Sequence, residues 1–208
     1  MNKKITVITA TKGRDSLHQA IESVRKQVVP CHHIVVFDGI EPTIESDENL
    51  TVLRTPTRTG FAIYNGHRIY AGMSFLVNTP FVSYLDDDNT FTDDWSEVML
   101  EAMYMNRIMP WAVTCRRSLY HNGEFMGVDN RESIGRNEYG YALYDMNTYL
   151  IQTQITHHMA LHISHRSTAD RLMAEFFLKY NAVLHIRNSL VNYTVNENKY
   201  NDLKEVVK

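Results

Sequence analysis

The sequence is poor in cysteine and has no long hydrophobic run, and each absence excludes a class of protein. Its two cysteines, Cys31 and Cys115, form no CxxC pair and no disulfide framework. We therefore expect reduced thiols in a reducing, cytoplasmic compartment. No apolar stretch reaches the roughly 18 residues that a membrane-spanning helix needs. The N-terminus continues directly into a strand-like segment, so no signal peptide is expected.

The sequence also has no excess of charge of one sign. Its 21 Lys and Arg residues offset 24 Asp and Glu residues, and the net charge of −3 predicts no nucleic-acid partner and no anionic-membrane surface. Composition is otherwise that of an ordinary globular protein, with 44% apolar and 22% charged residues. The 208 residues suffice for one large α/β domain with a sizeable core.

Predicted strands and helices alternate through the first part of the chain. β-Branched and apolar runs predict strands at 5–9, 33–37, 50–53, 81–85 and 111–115. Between them, apolar residues recur at helical spacing, as Leu17, Ala20, Ile21 and Val24 do, or Ile69, Met73 and Leu76. This alternation predicts an α/β fold with a mainly parallel central sheet and helices on both faces.

After Cys115 the pattern changes to a smaller antiparallel part. Asn122-Gly123 between two short apolar runs predicts a hairpin with a type I′ turn. A helix is predicted at 168–180, and two late strands at 182–186 and 190–195. We therefore expect a single domain over 1–208, with a nucleotide-binding half (1–90), an acceptor-side half (91–195) and a polar tail (196–208).

Three consecutive acids follow the fourth predicted strand. Asp86, Asp87 and Asp88 come directly after the apolar run 81–85. Adjacent carboxylates repel one another, and burying one is costly unless it is compensated. Ligands of open α/β sheets bind beyond the carboxyl ends of strands, and hard divalent cations prefer oxygen ligands, so this stretch predicts a metal site. The alternative is a solvated acidic turn that caps the next helix.

Two other strand ends are expected at the same edge. The turn 9–14 offers backbone N–H groups, a glycine and Arg14 near a helix start, which suits an anionic ligand, although no phosphate-loop motif is present. Asp38 ends the second strand, where an acid can accept a hydrogen bond from a base or a ribose. Taken alone, Arg14 is more often a surface residue, and Asp38 is equally a turn former.

Taken in their order along the chain, these motifs resemble those of the glycosyltransferases of the GT-A fold, and of the large inverting family 2 in particular. Residues 9–14 match the family's opening strand and turn, and Asp38 matches the acid that ends its second strand. Residues 60–66 are imperfectly similar to its glycine-then-Ala-Arg-Asn segment, and residues 85–88 match its Leu-Asp-x-Asp motif. The likeness covers residues 1–90. A fainter resemblance is to the compact glycosyltransferase domains of large algal viruses. A viral origin would imply that the protein is located in the host cytoplasm.

The resemblance implies a single GT-A domain and a nucleotide-sugar donor, with a UDP-sugar favoured over GDP- or dTDP-sugars. Asp86 and Asp88 would hold Mn²⁺ or Mg²⁺, which neutralises charge on the leaving nucleoside diphosphate. The sugar would pass, with inversion, to a hydroxyl of a glycan, a glycoprotein or another acceptor. The implied nucleotide-binding residues are Thr9, Ala10, Thr11, Arg14, Asp38, Gly60, Asn65, Asp86 and Asp87.

An inverting transfer also needs a base for the acceptor hydroxyl. The family places a Thr-Glu-Asp type of acid at a helix start in the second half, and residues 168–171 are similar to it, with Ala169 in place of the Glu. This implies Asp170 as the base, with Glu132 and Asp145 in reserve. The alternative is that Thr168 or Asp170 only caps the helix.

Four later histidines have spacings compatible with a metal site. His157, His158, His162 and His165 lie in one segment, but the carboxylates suit a hard ion better. We expect packing or acceptor-side roles for them, with one as a possible extra ligand. The aromatic run 139–144 is expected to pack or to stack on a sugar ring.

Two alternative functions remain. Residues 86–90 satisfy the DxDxT pattern of haloacid dehalogenase-type phosphatases, with Asp86 as the nucleophile, although three predicted strands precede it. A catalytically inactive nucleotide-sugar binding module is the other alternative. A chain of this length also fits one module of a longer polypeptide.

Overall fold

The computed structural model of the chain describes residues 3–60, 65–136, 140–164, 168–197 and 200. Its first half alternates strands and helices, as the apolar pattern predicts. These elements are β1 (Ile5–Thr11), α1 (Leu17–Arg25), β2 (Cys31–Phe37), β3 (Leu50–Arg54), α2 (His67–Ser74), β4 (Phe81–Tyr84), β5 (Thr90–Phe91) and α3 (Trp95–Tyr104).

The second half combines longer strands, a small two-stranded sheet and two helices. The hairpin of β6 and β7 turns at Asn122 and Gly123, whose φ angles of 49° and 83° are those of the predicted type I′ turn. The elements are β6 (Ala112–His121), β7 (Glu124–Val128), β8 (Gly135–Arg136), β9 (Ala142–Leu143), a 3-10 turn (Met146–Thr148), β10 (Tyr149–Gln152), α4 (Thr153–Ile163), α5 (Ala169–Lys179) and β11 (Val183–Thr194).

Within the described residues, nine strands form the central sheet in the order β3-β2-β1-β4-β10-β6-β11-β5, with β7 paired to β6. The first four of these strands are mutually parallel, and β11 is parallel to β6. β10 is antiparallel to both β4 and β6, so it joins the two halves of the sheet. β8 and β9 form the separate small antiparallel sheet.

Helices cover both faces of the sheet. One face packs against α2, α4 and α5 through side chains that include Ile8, Val82, Ile69, Met159 and Phe177. The other face packs mainly against α1 and α3 through side chains that include Val7, Val113, Ala20, Trp95 and Met99. Because both faces are covered, consecutive residues of β1 and β4 are buried rather than alternating between buried and exposed.

The structure corrects several predicted boundaries. β1 continues two residues beyond the predicted end, since Ala10 and Thr11 still pair with β2. The two late strands are one strand, β11, whose pairing with β6 is irregular between His185 and Val191. Leu76 lies beyond the end of α2 and is 55% exposed, so its predicted place on the buried stripe is wrong.

Some predictions fall outside the described residues. Of the predicted polar tail, the structure describes Asn196, Glu197 and Tyr200. Residues 61–64, Tyr139 and His165 also lie outside the described ranges. Among the helices that are described, none has the length and apolar character needed to cross a membrane.

Candidate functional site

A cavity of about 430 Å³ opens beyond the carboxyl ends of β1, β2 and β4. These strands are parallel neighbours, so the residues that follow them meet at one edge of the sheet. Residues from the 3-10 turn, the start of α5 and the end of β11 complete the wall. The sequence-predicted residues that line the cavity are Ala10, Thr11, Arg14, Asp38, Gly60, Asn65, Asp86, Asp87, Asp88 and Asp170.

Thr9 is placed differently from the prediction. Its side chain is buried in the sheet, with Oγ1 2.9 Å from Nε2 of His33 on β2. Thr9 and Thr11 share a face of β1, but Thr9 lies two residues, or roughly 7 Å, further from the strand's end. Thr11 lines the cavity and Thr9 does not.

Asp87 ties the acidic stretch to the opening turn of the chain. Thr11 Oγ1 donates to its carboxylate at 2.7 Å, and Arg14 Nη1 donates to it at 2.8 Å. The same Arg14 nitrogen is 2.5 Å from Asp88 Oδ2. One half-exposed guanidinium therefore serves two adjacent carboxylates, and the turn 9–14 is fixed against the acidic stretch.

The carboxylate of Asp86 is held on both oxygens. Tyr70 donates its hydroxyl to Oδ1 at 2.6 Å, and Asn147 Nδ2 donates to Oδ2 at 2.9 Å. Burial raises the pKa of Asp86, and the nearby charge of Asp145 raises it further, while the hydrogen bonds from Asn147 and Tyr70 oppose the rise.

Asp88 carries negative charge that its surroundings neutralise incompletely. Burial raises its pKa to about 6, and the charge of Asp86 adds to this rise, although Arg14 opposes it. Among the described residues, no group of three or more His, Cys, Asp or Glu side chains could hold a metal by itself. Mg²⁺, however, is commonly held by one or two carboxylates and substrate phosphates. The donor set therefore fits an ion that is shared with a diphosphate.

Asp38 organises the segment that closes one end of the cavity. It accepts the N–H of Thr59 at 2.6 Å and that of Gly60 at 2.9 Å, and the hydroxyls of Thr55 and Thr59 also donate to it. Burial alone would raise the pKa of Asp38, but these hydrogen bonds outweigh it and the pKa is lowered. Gly60 is required here, because a Cβ would lie 2.3 Å from the carbonyl oxygen of Asn65.

The three candidate bases lie in different surroundings. Asp170, in the first turn of α5, and Asp145, before the 3-10 turn, both line the cavity. Asp145 is already paired with Arg117 and accepts from Asn147. Glu132 is 2.7 Å from the same arginine and is not in the cavity wall. Asp170 is therefore the candidate whose carboxylate is not committed to Arg117.

Arg117 is the centre of a cluster that the sequence did not predict. Its guanidinium is 2% exposed and uses Nε, Nη1 and Nη2 for different carboxylates. The Tyr193 ring lies 4.2 Å from its Cζ atom. We call this set the buried cluster; its members are Arg117, Asp129, Glu132 and Asp145.

The histidines of α4 lie at the surface of the molecule, with His157 and His158 exposed and His162 half-buried. His157 Nε2 lies 3.1 Å from the carbonyl oxygen of Ser74, and its ring stacks on Phe75 with centroids 5.0 Å apart. His157, His158 and His162 are not in the cavity wall. In the described chain, none of the three therefore serves the acidic stretch.

Several cavity residues carried no recognisable signal in the sequence. Tyr70 and Asn147 contact Asp86, and His67, Tyr193, Thr194 and Asn196 also line the cavity. Tyr70 follows the helical spacing of the apolar residues of α2, and a tyrosine at such a position predicts core packing rather than a role in a site. Asn147 is two residues after Asp145, a spacing that suggests only a local cap.

Solved structures share this fold at low sequence identity. S. aureus TarS matches with a TM-score of 0.69 and 15% identity, over 98% of this chain and 39% of that one. S. aureus TarS 1-349 in complex with UDP matches with a TM-score of 0.68 and 15% identity, over 98% and 64%. The same TarS segment in complex with UDP-GlcNAc matches with a TM-score of 0.67 and 15% identity, over 93% and 59%.

The chain spans between 39% and 64% of the length of these structures. No protein-family profile matches the sequence, and no curated protein matches it. At 15% identity the likeness shows the fold. It confirms the predicted fold class, a mixed α/β single domain with a mostly parallel central sheet and a small antiparallel sheet, as in the TarS structures.

Proposed function

We propose that this protein is a metal-dependent glycosyltransferase that moves a sugar from a UDP-sugar to an acceptor hydroxyl, with inversion. The observation that carries the proposal is the cavity itself. It joins the opening turn, the end of β2, the acidic stretch and a carboxylate on α5, on a fold shared with structures solved with UDP and UDP-GlcNAc.

The nucleotide would bind against the first half of the chain. Asp38 is ionised and holds the 55–60 segment, so it supports the end of the cavity that would receive the base and ribose. Arg14 and Lys12 line the cavity with positive charge that suits a diphosphate. This assigns residues 1–90 to the donor and residues 91–195 to the acceptor.

Asp170 would act as the base. Its carboxylate accepts the proton of the acceptor hydroxyl while that oxygen forms a bond to the anomeric carbon of the sugar. The bond from this carbon to the diphosphate oxygen breaks, and its electron pair leaves with the nucleoside diphosphate. Attack opposite the leaving group inverts the configuration. The acceptor would be a glycan, a glycoprotein or another hydroxyl compound.

Asp88 and Asp86 would hold Mn²⁺ or Mg²⁺. When bound, such an ion supplies positive charge to the leaving diphosphate. The incompletely neutralised charge of Asp88 is the feature of this chain that favours a cation at this position. Asp87 is instead committed to Thr11 and Arg14, so its role would be to fix the opening turn.

Thermal unfolding with and without UDP and Mn²⁺ tests the proposal. A ligand present at 100 times its Kd adds about 2.7 kcal/mol to the free energy of unfolding. For a chain of this size, that raises the midpoint by about 5–10 °C. We expect UDP to raise the unfolding midpoint and Mn²⁺ to increase that rise. In a separate activity assay, we expect UDP to be released from a UDP-sugar when an acceptor is supplied.

Assays of sugar transfer and of phosphomonoester hydrolysis, added to the binding measurement, separate the alternatives. Binding of a UDP-sugar without transfer to any acceptor would favour the inactive binding module. Hydrolysis of a phosphomonoester, lost in Asp86→Asn, would favour the phosphatase. No response to any nucleoside diphosphate would contradict the proposed function.

A further inference from the structure

Two rigid side chains from separate elements determine where the Asp86 carboxylate lies. Tyr70, on α2, donates to Oδ1 at 2.6 Å, and Asn147, in the 3-10 turn, donates to Oδ2 at 2.9 Å. A carboxylate oxygen accepts more than one hydrogen bond, so each oxygen keeps capacity for a ligand. Neither Tyr70 nor Asn147 belongs to the acidic stretch itself.

The amide of Asn147 can satisfy its neighbours in only one orientation. Its Oδ1 accepts the backbone N–H of Asp86 at 2.6 Å, and its Nδ2 donates both to Asp86 and, at 2.7 Å, to Asp145 Oδ1. A flipped amide would place its oxygen against two carboxylate oxygens. Asp145 is in turn paired with the fully buried Arg117, so the amide is anchored in the core.

Tyr70 is equally constrained. Its side chain is 1% exposed, and its ring packs against the Tyr84 ring with centroids 5.1 Å apart. The hydroxyl therefore has little freedom to follow Asp86 if the carboxylate moves. Both hydrogen bonds are of the charge-assisted type, which is stronger and more directional than a bond between neutral groups.

We propose that Asn147 and Tyr70 are positioning residues that set the direction of the Asp86 carboxylate for a nucleoside diphosphate and its cation. This inference rests on the proposed function. Partners that orient a ligating group in this way typically change metal affinity or activity by about 10–100-fold when they are removed. Asn147 lies in the second half of the chain, so the donor site is incomplete without residues beyond 1–90.

Two variants and two matched controls test the proposal. Tyr70→Phe removes only the hydroxyl and adds no charge. Asn147→Asp keeps the oxygen that accepts the Asp86 N–H, but it removes the donations to Asp86 and Asp145 and adds a negative charge beside both carboxylates. Tyr84→Phe is the control for the first, because Tyr84 is a buried tyrosine of the same core whose hydroxyl contacts Ser74 at 2.8 Å.

Gln27→Glu is the control for the second. Gln27 is a buried amide that donates to the carbonyl oxygens of Ser23 and Thr92 and accepts from the Ser96 N–H. Its side chain makes three hydrogen bonds, as that of Asn147 does, but it is not in the cavity wall. We therefore expect its variant to lose comparable stability without a change at the site.

The readout is the Kd for UDP with Mn²⁺, by calorimetry on the full chain, together with the ligand-free unfolding midpoint. We expect Tyr70→Phe and Asn147→Asp to weaken UDP binding by about 10–100-fold. The controls should lower the midpoint by a similar amount and leave the Kd within about twofold of the parent value. A loss of affinity in the controls as large as in the test variants would overturn the proposal.

The two proposals fail in different ways. Tyr70→Phe is the variant with the smallest expected effect on folding. If the parent chain binds UDP and Tyr70→Phe binds it equally well, the positioning role is wrong and the proposed function stands. If the parent chain binds neither UDP nor another nucleoside diphosphate, the proposed function is wrong and the positioning role falls with it.

Discussion

Two regions of the molecule each place one arginine among three carboxylates. They differ in how far the arginine is buried and in how many of its nitrogens pair with the carboxylates. In the buried cluster, Arg117 is 2% exposed and gives each carboxylate a different guanidinium nitrogen. In the cavity, Arg14 is 45% exposed and one of its nitrogens serves both Asp87 and Asp88. We call this second set the open cluster; its members are Arg14, Asp86, Asp87 and Asp88.

The pKa shifts follow the same division. For Asp129 of the buried cluster, burial would raise the pKa, but Arg117 and backbone N–H groups outweigh it and the pKa is lowered. For Asp88 of the open cluster, burial and Asp86 together outweigh Arg14, and the pKa is raised to about 6. The buried cluster is complete within the protein, whereas the open cluster has charge left for a ligand. We therefore assign the first cluster to the stability of the fold and propose the second for ligand binding.

The largest expected effect comes from removing the buried arginine. Arg117→Met leaves three acids without their shared partner, and breaking a buried ion pair on one side typically costs about 3–5 kcal/mol. The same change at Arg14 should cost no more than about 1 kcal/mol, because that guanidinium is half exposed. Urea unfolding of both variants measures the difference. Equal losses in the free energy of unfolding would show that the buried arginine stabilises the fold no more than the half-exposed one does.

Asp170→Asn tests whether the base lies outside both clusters. The neutral amide cannot accept the hydroxyl proton, so we expect transfer to slow by at least about a hundredfold. UDP binding should be retained, because the proposal assigns Asp170 to the acceptor side of the cavity and the amide keeps the size of the side chain. The rate of UDP release and the Kd for UDP are the measurements. Unchanged transfer would exclude Asp170 as the base.

Asp88→Asn should remove the cation from the open cluster without harming the fold. We expect the additional midpoint shift that Mn²⁺ gives in the presence of UDP to be lost, corresponding to at least about tenfold weaker metal binding. Asp93→Asn is the control, because Asp93 is an exposed acid five residues further along the chain. Normal Mn²⁺ dependence in Asp88→Asn would show that Asp88 is not a ligand.

The acids of the cavity were predictable from the sequence because they follow apolar strand segments. A buried parallel strand is an apolar run; Asp38 comes directly after β2, and Asp86 of the open cluster follows Leu85, one residue beyond the end of β4. Topology then brings such strand ends to one edge. Thr9 was misplaced because the strand's end was predicted two residues early, at a point where threonine and alanine give no sharp signal for a break.

The buried cluster could not be predicted in this way. Arg117 meets Asp145 across 28 residues of chain, and Asn147 meets Asp86 across 61. Both contacts depend on β10 entering the sheet antiparallel between β4 and β6, which no local pattern specifies. Polar residues that pair in the core look, in a single sequence, like ordinary surface residues of a loop.

The smallest expected effect is a pH dependence of the free energy of unfolding that distinguishes the two clusters. It applies to the ligand-free protein from which metal has been removed with a chelator. The folded-state pKa of Asp88 is about 6 and its ordinary value is 3.8, so the folded state binds a proton before the unfolded state does. Asp88 should therefore add stability as the pH falls from about 6 to about 4, whereas the buried His33, whose pKa burial lowers to about 3, makes the total stability fall over the same range. Asp88 is 35% exposed, and solvent screening limits the gain to about 1 kcal/mol.

Asp129 has the opposite sign. Its folded-state pKa is lowered, so the stability that it contributes is present above the unfolded pKa and is lost as the pH falls below about 4. The free energy of unfolding is measured in urea between pH 7 and pH 3 for the parent chain and for Asp88→Asn. The parent value minus the variant value should increase between pH 6 and pH 4 by up to about 1 kcal/mol, because His33 and Asp129 contribute equally to both chains. A difference that stays constant between pH 6 and pH 4 would show that Asp88 carries no surplus charge.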